Sequence, residues 1–251
     1  MSRRRWIANT WTATTASLQG EQADHLLRVL RGEVGAMYDI VAEGRVWHAR
    51  IASVEGGAVH FDLLAEIEAA AALPITLMLS IFKFDRMEWA IEKAIELGVR
   101  AIQPVITRRT EKHLAQAAAK RAERWRRIAL EAAKQSRAAG VAEIYDPLPL
   151  RAALDRGVDA GSDAGLRDTS MLRILLDETE NEASLANALR SRPRGASVGI
   201  AVGPEGGWSE EELVLFHAGG WQSAGLGPRI LRAETAAIAA LAITSALLLE
   251  S

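Results

Sequence analysis

Hydrophobic and polar positions alternate along the first part of the chain. From Ile40 to Leu64 the alternation is that of β-strands, and it is broken at Gly44 and at the Gly56-Gly57 pair. Glycine breaks between alternating segments are typical of β-hairpins. This region therefore predicts a set of strands joined by tight turns.

The residues before these hairpins follow a helical pattern instead. Within residues 21–35 the pattern predicts a short helix with Leu26, Leu27 and Leu30 on one face. Gly32 is expected to end this helix. Residues 1–72 together predict a small β-rich domain. An alanine-rich linker over residues 69–73, closed by Pro74, is expected to end it.

Beyond Pro74 the pattern changes to apolar runs of strand length that alternate with amphipathic helices. The predicted strands are residues 75–82, 101–107, 173–178 and 197–203, and the predicted helices are residues 86–97, 118–137 and 235–249. One face of the first helix is apolar, with Met87, Ala90, Ile91, Ala94 and Ile95. This order predicts an α/β fold whose largely parallel sheet is covered on both faces. Residues 157–170 have loop composition without periodicity.

Composition and charge narrow the function classes. The chain has 251 residues, 49% of them apolar, and a formal net charge of −2. A uniformly basic nucleic-acid binder is thereby disfavoured, so any RNA contact must come from a local patch. The chain contains no cysteine, which excludes disulfides and zinc–thiolate sites, and its five histidines lack metal-ligand spacing. No metal is expected.

The location of the protein is predicted from what its apolar segments lack. The C-terminal segment 235–249 is shorter than the about 20 residues that a membrane-spanning helix needs. The basic N-terminus is not followed by the apolar stretch of a signal peptide. We therefore expect a cytoplasmic protein without a membrane partner.

A glycine-rich turn after the strand at residues 197–203 is the most informative segment. It reads Gly203-Pro204-Glu205-Gly206-Gly207, and Ser209 with Glu212 then has the spacing of a capping box at a helix start. Open α/β sheets bind ligands at the carboxyl ends of their strands. The lysine of a phosphate-binding loop and the dinucleotide fingerprint are both missing. Glu205 instead favours a neutral or cationic ligand such as a sulfonium cofactor, although a purely structural turn is the alternative.

A second glycine-rich turn precedes the apolar C-terminal helix. Gly225, Gly227 and Pro228 form it, and Arg229, Arg232 and the pair Glu234-Thr235 follow. A rigid irregular segment that leads into a helix is again typical of a ligand site.

These two turns carry a resemblance to a known family. GPEGG at 203–207 followed by LGPRILRAETA at 226–236 resembles the motif pair of SPOUT methyltransferases, and specifically of the RsmE family. HLLRVLR at 25–31 resembles that family's N-terminal PUA-like barrel, and residues 92–110 and 123–136 also fit its pattern. The chain departs from the pattern at Gly225, where serine is expected, at Ala233, where threonine is expected, and at 141–144, where a Val-Pro pair is usual.

The resemblance implies a 16S rRNA (uracil(1498)-N3)-methyltransferase that uses S-adenosylmethionine. It implies a PUA-like, RNA-binding β-barrel over 1–72 and a SPOUT domain over 73–251 with a parallel sheet and a trefoil knot, in a homodimer. Ile238, Leu241, Ala242 and Ala246 would then pack partly against the second subunit, or else entirely within one chain. Cofactor binding is implied for Leu176, Gly203, Pro204, Glu205, Gly206, Gly207, Leu226, Gly227, Ile230, Leu231 and Thr235.

The reaction itself suggests three candidate catalytic residues. N3 of uridine is a good nucleophile only after it loses its proton, so the site needs a base or a group that stabilises the uridine anion. Arg232 is the candidate for charge stabilisation or for holding a phosphate, and Glu205 or Glu234 for proton removal. An alternative for Glu234 is an interaction with the dipole of the last helix.

Basic residues concentrate in one stretch. The segment from Arg108 to Arg137 contains ten basic and three acidic residues, which gives it a net charge of +7. With the three N-terminal arginines, this stretch predicts RNA contacts at Arg3, Arg4, Arg5, Arg108, Arg109, Arg121 and Arg124. The expected partner is 16S ribosomal RNA or the small ribosomal subunit. Alternatives are a SPOUT enzyme acting on another RNA atom, a non-catalytic ribosome-assembly factor and, more distantly, a metabolite-binding Rossmann enzyme.

Overall fold

The computed structural model describes residues 5–69, 71–136, 138–156 and 171–250. The chain divides into two compact units. The first extends to Ala72 and also takes Glu131–Val141, and the second comprises Leu73–Leu130 and the chain from Ala142 onward. The predicted loop at 157–170 lies outside the described residues.

The first unit is built on one curled, barrel-like sheet. Its strands are β1 (Trp6–Ile7), β2 (Thr10–Trp11), β3 (Thr15–Leu18), β4 (Met37–Ala42), β5 (Arg45–Glu55) and β6 (Ala58–Ile67), in the order β1-β4-β5-β6-β3-β2. β1 pairs with β4 in parallel, and the other pairs are antiparallel. The predicted hairpins are confirmed: β4 and β5 are joined at Gly44, and β5 and β6 at Gly56 and Gly57, which all have positive φ.

The predicted helix of the first unit differs from the observed one. Helix α1 (Gly20–Asp24) continues into a π-helical turn at His25–Val29. Leu26 is fully buried and Leu27 packs against the core, but Leu30 is 47% exposed. The prediction for Leu30 was wrong because a π turn contains an extra residue, which shifts the following side chain off the apolar face.

The second unit has a parallel sheet with helices between its strands. Its strands are β7 (Leu73–Ser80), β8 (Val99–Ile106), β9 (Glu143–Ile144), β10 (Leu148–Pro149), β11 (Leu172–Leu176), β12 (Val198–Val202) and β13 (Gln222–Ala224). Its helices are α2 (Phe84–Glu96), α3 (Lys112–Ser136), α4 (Leu150–Arg156), α5 (Leu185–Arg190), α6 (Glu210–Ala218) and α7 (Ala233–Leu249). The end of α3, from Glu131, belongs to the first unit. The strand order is β10-β8-β7-β12-β11-β13, and β9 pairs with β8. The predicted α/β class with a parallel sheet is confirmed.

Two predicted boundaries in this unit were wrong. Pro74 does not close a linker but lies in strand β7, whose first residue Leu73 already pairs with Val99. A proline is tolerated there because the register of the pairing shifts after Leu73, at the start of the strand. Helix α3 begins at Lys112 rather than at Ala118, since its polar first turns still bury Leu114.

Apolar packing holds the ends of strands β11 and β12 in place. All five residues of β12 are buried, as are the five residues predicted for the inner face of α2. Behind the strand ends, Trp208, Phe216 and Trp221 stack edge to face, with ring centroids 4.6 and 5.3 Å apart. Such aromatic pairs add stabilisation beyond the area they bury. The turn that follows β12 is therefore anchored on a rigid core.

The C-terminal helix α7 packs against α2. Ala237, Ala240 and Leu241 are buried, and Ser245 Oγ donates a hydrogen bond to the carbonyl oxygen of Leu97 at 3.0 Å. Ile238 is partly buried, whereas Ala242 and Ala246 are exposed. No helix of the described residues has the length and hydropathy to cross a membrane.

Candidate functional site

A cavity of about 650 Å³ opens at the carboxyl ends of strands β11, β12 and β13. Its wall consists mainly of the residues that follow these strands, with additional side chains from the start of α2 and α7. Small-molecule sites typically measure about 300–1,000 Å³. The cavity therefore has the size and the position of a ligand site in an α/β sheet.

The turn after β12 needs glycine at two of its positions. A Cβ on Gly203 would lie 3.2 Å from Trp208 Nε1, and a Cβ on Gly207, whose φ is +69°, would lie 3.2 Å from Glu178 Oε1. Trp208 Nε1 donates a buried hydrogen bond to the carbonyl oxygen of Leu176 at 3.0 Å. The indole thus joins the turn after β12 to the end of β11.

The predicted capping box is confirmed, and it also holds the loop after β8. The Ser209 side chain accepts a hydrogen bond from the Glu212 backbone N–H, and Glu212 Oε2 accepts one from the Ser209 N–H at 2.9 Å. Glu212 Oε1 accepts a further bond from the Arg108 backbone N–H at 2.7 Å. Arg109 donates to the carbonyl oxygen of Gly206, and the Arg108 side chain pairs with Glu211. Arg109 therefore stabilises the glycine-rich turn at 203–207, and Arg108 stabilises the start of helix α6 that follows it.

The second turn is packed against the loop before α5. The Gly225 N–H donates to the Ala183 carbonyl at 2.8 Å, and the Leu185 N–H donates to the Gly225 carbonyl at 3.0 Å. A Cβ on Gly225 would clash with the backbone carbonyl oxygen of Glu180, so a serine here would require the loop before α5 to move. The Glu180 carboxylate accepts the N–H groups of Ala183 and Glu182, and these hydrogen bonds lower its pKa.

Most of the predicted cofactor-binding residues meet at the cavity. Its wall includes Leu176, Gly203, Pro204, Glu205, Gly207, Leu226, Gly227, Ile230 and Leu231. Gly206 lies outside the wall and contacts Arg109 instead. Thr235 is exposed and does not line the cavity, because the helical repeat turns Ala233 and Ala236 toward it.

The three candidate catalytic residues occupy different positions. Glu205 and Arg232 line the cavity, and Arg232 is exposed at the N-cap of α7. Glu234, in the first turn of α7, lies behind the wall with a side chain that is 8% exposed. Its Oε2 has no hydrogen-bond partner in the part of the chain that the structure describes.

Arg86 on helix α2 was missed by the sequence analysis. Its Nη1 donates to Glu205 Oε1 at 2.8 Å, and its Nε lies 3.8 Å from Glu234 Oε1. The partners Arg86 and Glu205 are 119 positions apart in the chain. No local motif indicates such a pairing, which forms only when the folded chain brings the two residues together.

Several arginines of the basic stretch form ion pairs within the chain. Arg121 and Arg124 both bind Glu88, at 3.2 and 2.8 Å, and Arg126 binds Asp146 at 2.6 Å. Three exposed residues of this stretch form neither an ion pair nor a side-chain hydrogen bond with any described residue: Lys112, Lys120 and Arg127. The predicted RNA contacts Arg3 and Arg4 and the basic residue Arg137 lie outside the described residues, and Arg5 is partly buried.

Comparisons with known proteins show to which family the chain belongs. Residues 69–245 match the family model of an RNA methyltransferase domain. A ribosomal RNA small subunit methyltransferase E from a Synechocystis species is 34% identical over 243 residues, which cover 96% of this chain and 75% of that protein. The chain belongs to the ribosomal RNA small subunit methyltransferase E family. The resemblance to the RsmE family is thereby confirmed.

Two further members of the methyltransferase E family agree over nearly the whole chain. The protein of this name from Bacillus subtilis is 32% identical over 240 residues, 93% of this chain and 90% of that protein. The crystal structure of the one from Neisseria gonorrhoeae, bound to S-adenosylmethionine, superimposes with a TM-score of 0.81 at 30% identity and covers 98% of both chains. The fold of both units is therefore that of the methyltransferase E family. The trefoil knot stays a prediction.

Across residues 5–69, 71–136, 138–156 and 171–250, no group of three or more histidine or acidic side chains is arranged to hold a metal ion. The polar groups of the cavity are instead the arginines and carboxylates of its wall and the backbone of its two turns.

Proposed function

We propose that this chain transfers a methyl group from S-adenosylmethionine to N3 of a single uridine in 16S ribosomal RNA. The observation that carries the proposal is that the two glycine-rich turns, 203–207 and 226–231, form one cavity in a member of the methyltransferase E family. The relatives from Synechocystis and Bacillus are named as methyltransferases of small-subunit ribosomal RNA, and the Neisseria relative binds S-adenosylmethionine.

The residues of the cavity fit this cofactor. S-adenosylmethionine carries a sulfonium and an ammonium cation as well as a carboxylate. The wall contains groups of both signs, the carboxylates of Asp177, Glu178, Glu205 and Glu210 and the guanidinium groups of Arg86, Arg109, Arg229 and Arg232. The glycines of the first turn let the backbone approach a ligand where Cβ atoms would fill the space next to Trp208 and Glu178. When bound, the cofactor supplies a methyl group that is electrophilic because it is attached to a positively charged sulfur.

The chain's own groups then have separate tasks. Glu205, in the cavity wall, accepts the proton of uridine N3. Arg232, exposed beside the cavity, stabilises the negative charge on the uridine or holds a phosphate next to it. Glu234 supports the site from behind the wall, since it does not line the cavity.

RNA and a second subunit complete the proposal. The RNA contacts are the first unit, as a PUA-like barrel that includes Arg5, and the exposed cations of helix α3. Lys112, Lys120 and Arg127 join the predicted set, because Arg108, Arg109, Arg121 and Arg124 also make contacts within the chain. The homodimer would use the outer face of α7, where Ala242 and Ala246 are exposed. The protein acts in the cytoplasm.

Mass spectrometry of 16S ribosomal RNA tests the proposal. A strain without the gene should lack one N3-methyluridine, and the intact gene should restore it, whereas the gene carrying Arg232→Ala should not. Loss of a methyl group from another atom would favour a different methyltransferase specificity. An unchanged set of modifications would favour an assembly factor without catalytic activity.

A further inference from the structure

We infer that Arg86 is a positioning residue of the methyl-transfer site, which orients the Glu205 carboxylate in the cavity wall and connects it to the start of helix α7 through Glu234. This inference rests on the proposed function. Arg86 itself lines the cavity, and its side chain is 32% exposed, compared with 35% for Glu205. The contact between them is thus partly shielded from water.

The backbone of Arg86 is held firmly. It is part of the first turn of α2, and the next residue, Met87, is fully buried. Glu205, by contrast, is part of the glycine-rich turn, where it lies between the buried Pro204 and the exposed Gly206. Because such a turn provides few contacts to fix a side chain, the 2.8 Å bond from Arg86 Nη1 determines where the Glu205 carboxylate lies.

The bond occupies one oxygen of the carboxylate and leaves the other available. Arg86 Nη1 binds Oε1 of Glu205, and Oε2 accepts no hydrogen bond from the described part of the chain. A carboxylate can accept several hydrogen bonds through its two oxygens. Oε2 can therefore receive a donor from the bound cofactor or from the N3–H group of the uridine.

The buried carboxylate of Glu234 gives a reason for an arginine at position 86. Its side chain is 8% exposed, and an isolated carboxylate at that depth is strongly destabilising unless an opposite charge is near. Arg86 Nε, 3.8 Å from Glu234 Oε1, supplies that charge while Nη1 binds Glu205. The planar guanidinium offers both donors at once, which the single ammonium of lysine does not. The three groups together have one net negative charge.

A double-mutant cycle on cofactor affinity tests the inference without RNA. We would measure S-adenosylmethionine binding by calorimetry for the wild type, Arg86→Gln, Glu205→Gln and the double variant. If Arg86 acts through Glu205, each single variant should bind S-adenosylmethionine about tenfold more weakly than the wild type, which corresponds to the loss of one charge-assisted hydrogen bond. The double variant should then bind no more than about threefold more weakly than Glu205→Gln. Single losses that multiply to about a hundredfold would overturn the inference.

Matched variants separate positioning from stability. Lys93→Gln is the control, because Lys93 also forms ion pairs on α2, with Glu92 and Glu96 at 2.7 Å, but does not line the cavity. It should leave cofactor affinity unchanged, and an Arg86→Gln affinity equal to that of Lys93→Gln would contradict the inference. Arg86→Lys keeps the charge beside Glu234, so it should fold and should restore part of the affinity that Arg86→Gln loses.

The inference and the proposed function fail in different ways. Single-turnover methylation of 16S ribosomal RNA is measured on the same variants. A wild type that transfers no methyl group, with a cycle that is still non-additive, would contradict the function and leave the role of Arg86 standing. A wild type that methylates normally, with losses of affinity that multiply, would contradict the role of Arg86 alone.

Discussion

The Trp208 indole N–H donates a hydrogen bond to the Leu176 carbonyl oxygen at 3.0 Å, and both groups are buried. Leu176 is the last residue of β11, and Trp208 follows the glycine-rich turn after β12. One hydrogen bond therefore joins the two strand ends from which the cavity opens. This bond fixes the turn after β12 relative to the end of β11, and both segments line the cavity.

Trp208→Phe should weaken both the fold and the site. Phenylalanine keeps the ring that stacks on Phe216 but leaves the buried Leu176 carbonyl without its donor, at a cost of about 1–3 kcal/mol. Urea unfolding should show this loss, and calorimetry should show weaker cofactor binding. Trp221→Phe is the control, because Trp221 stacks on the same ring from outside the cavity. Equal cofactor affinities in the two variants would contradict a role of the Trp208–Leu176 hydrogen bond in holding the cavity wall.

Gly225→Ser should be destabilising, although the family pattern predicts serine at this position. The new Cβ would clash with the Glu180 carbonyl oxygen, so the loop before α5 must move. Overpacking of this kind costs about 1–3 kcal/mol. Gly140→Ser is the control, since no atom lies within 4 Å of its added Cβ. A Gly225→Ser protein as stable as the wild type in urea would show that this loop yields easily.

Arg232→Ala should abolish methyl transfer and leave cofactor binding intact. The side chain is exposed beside the cavity and forms no ion pair or hydrogen bond with any described residue, so its removal breaks no polar contact of the fold. Methyl transfer to 16S ribosomal RNA is measured with radiolabelled cofactor, and binding by calorimetry. Arg190→Ala, at the end of α5, is the control. Unchanged turnover in Arg232→Ala would exclude the proposed role.

The exposed cations of α3 should contribute to RNA affinity through phosphate contacts. Replacing Lys112, Lys120 and Arg127 with glutamine removes three charges that have no ion pair among the described residues. The slope of log affinity against log salt should become shallower by about 0.7–0.9 per lost contact. Lys93→Gln is the control for the loss of a single charge outside α3. RNA affinity of the wild type that does not depend on salt would contradict the patch.

Features that depend on neighbouring residues in the chain were predictable. The hairpin glycines, the inner face of α2 and the capping box of α6 were each indicated by a spacing of a few residues, and each is present. Those spacings reflect the backbone geometry of turns, helices and caps, which is local. The motif pair 203–207 and 226–236 also indicated the family. Even local signals failed where the winding changed, as at Leu30 after the π-helical turn.

Sequence patterns alone were enough to predict the hairpins of the first unit, strands β7, β8, β11 and β12, helices α2 and α7, and the two glycine-rich turns of the site. Those patterns are readable because hydrogen bonding and side-chain periodicity act over a few residues. Only the tertiary structure decided that Arg86 joins Glu205 and Glu234, that Glu88 binds two arginines of the basic stretch, and that Trp208 reaches Leu176. Ion pairs and buried hydrogen bonds depend on distance in space, and the chain brings these partners together only after it has folded.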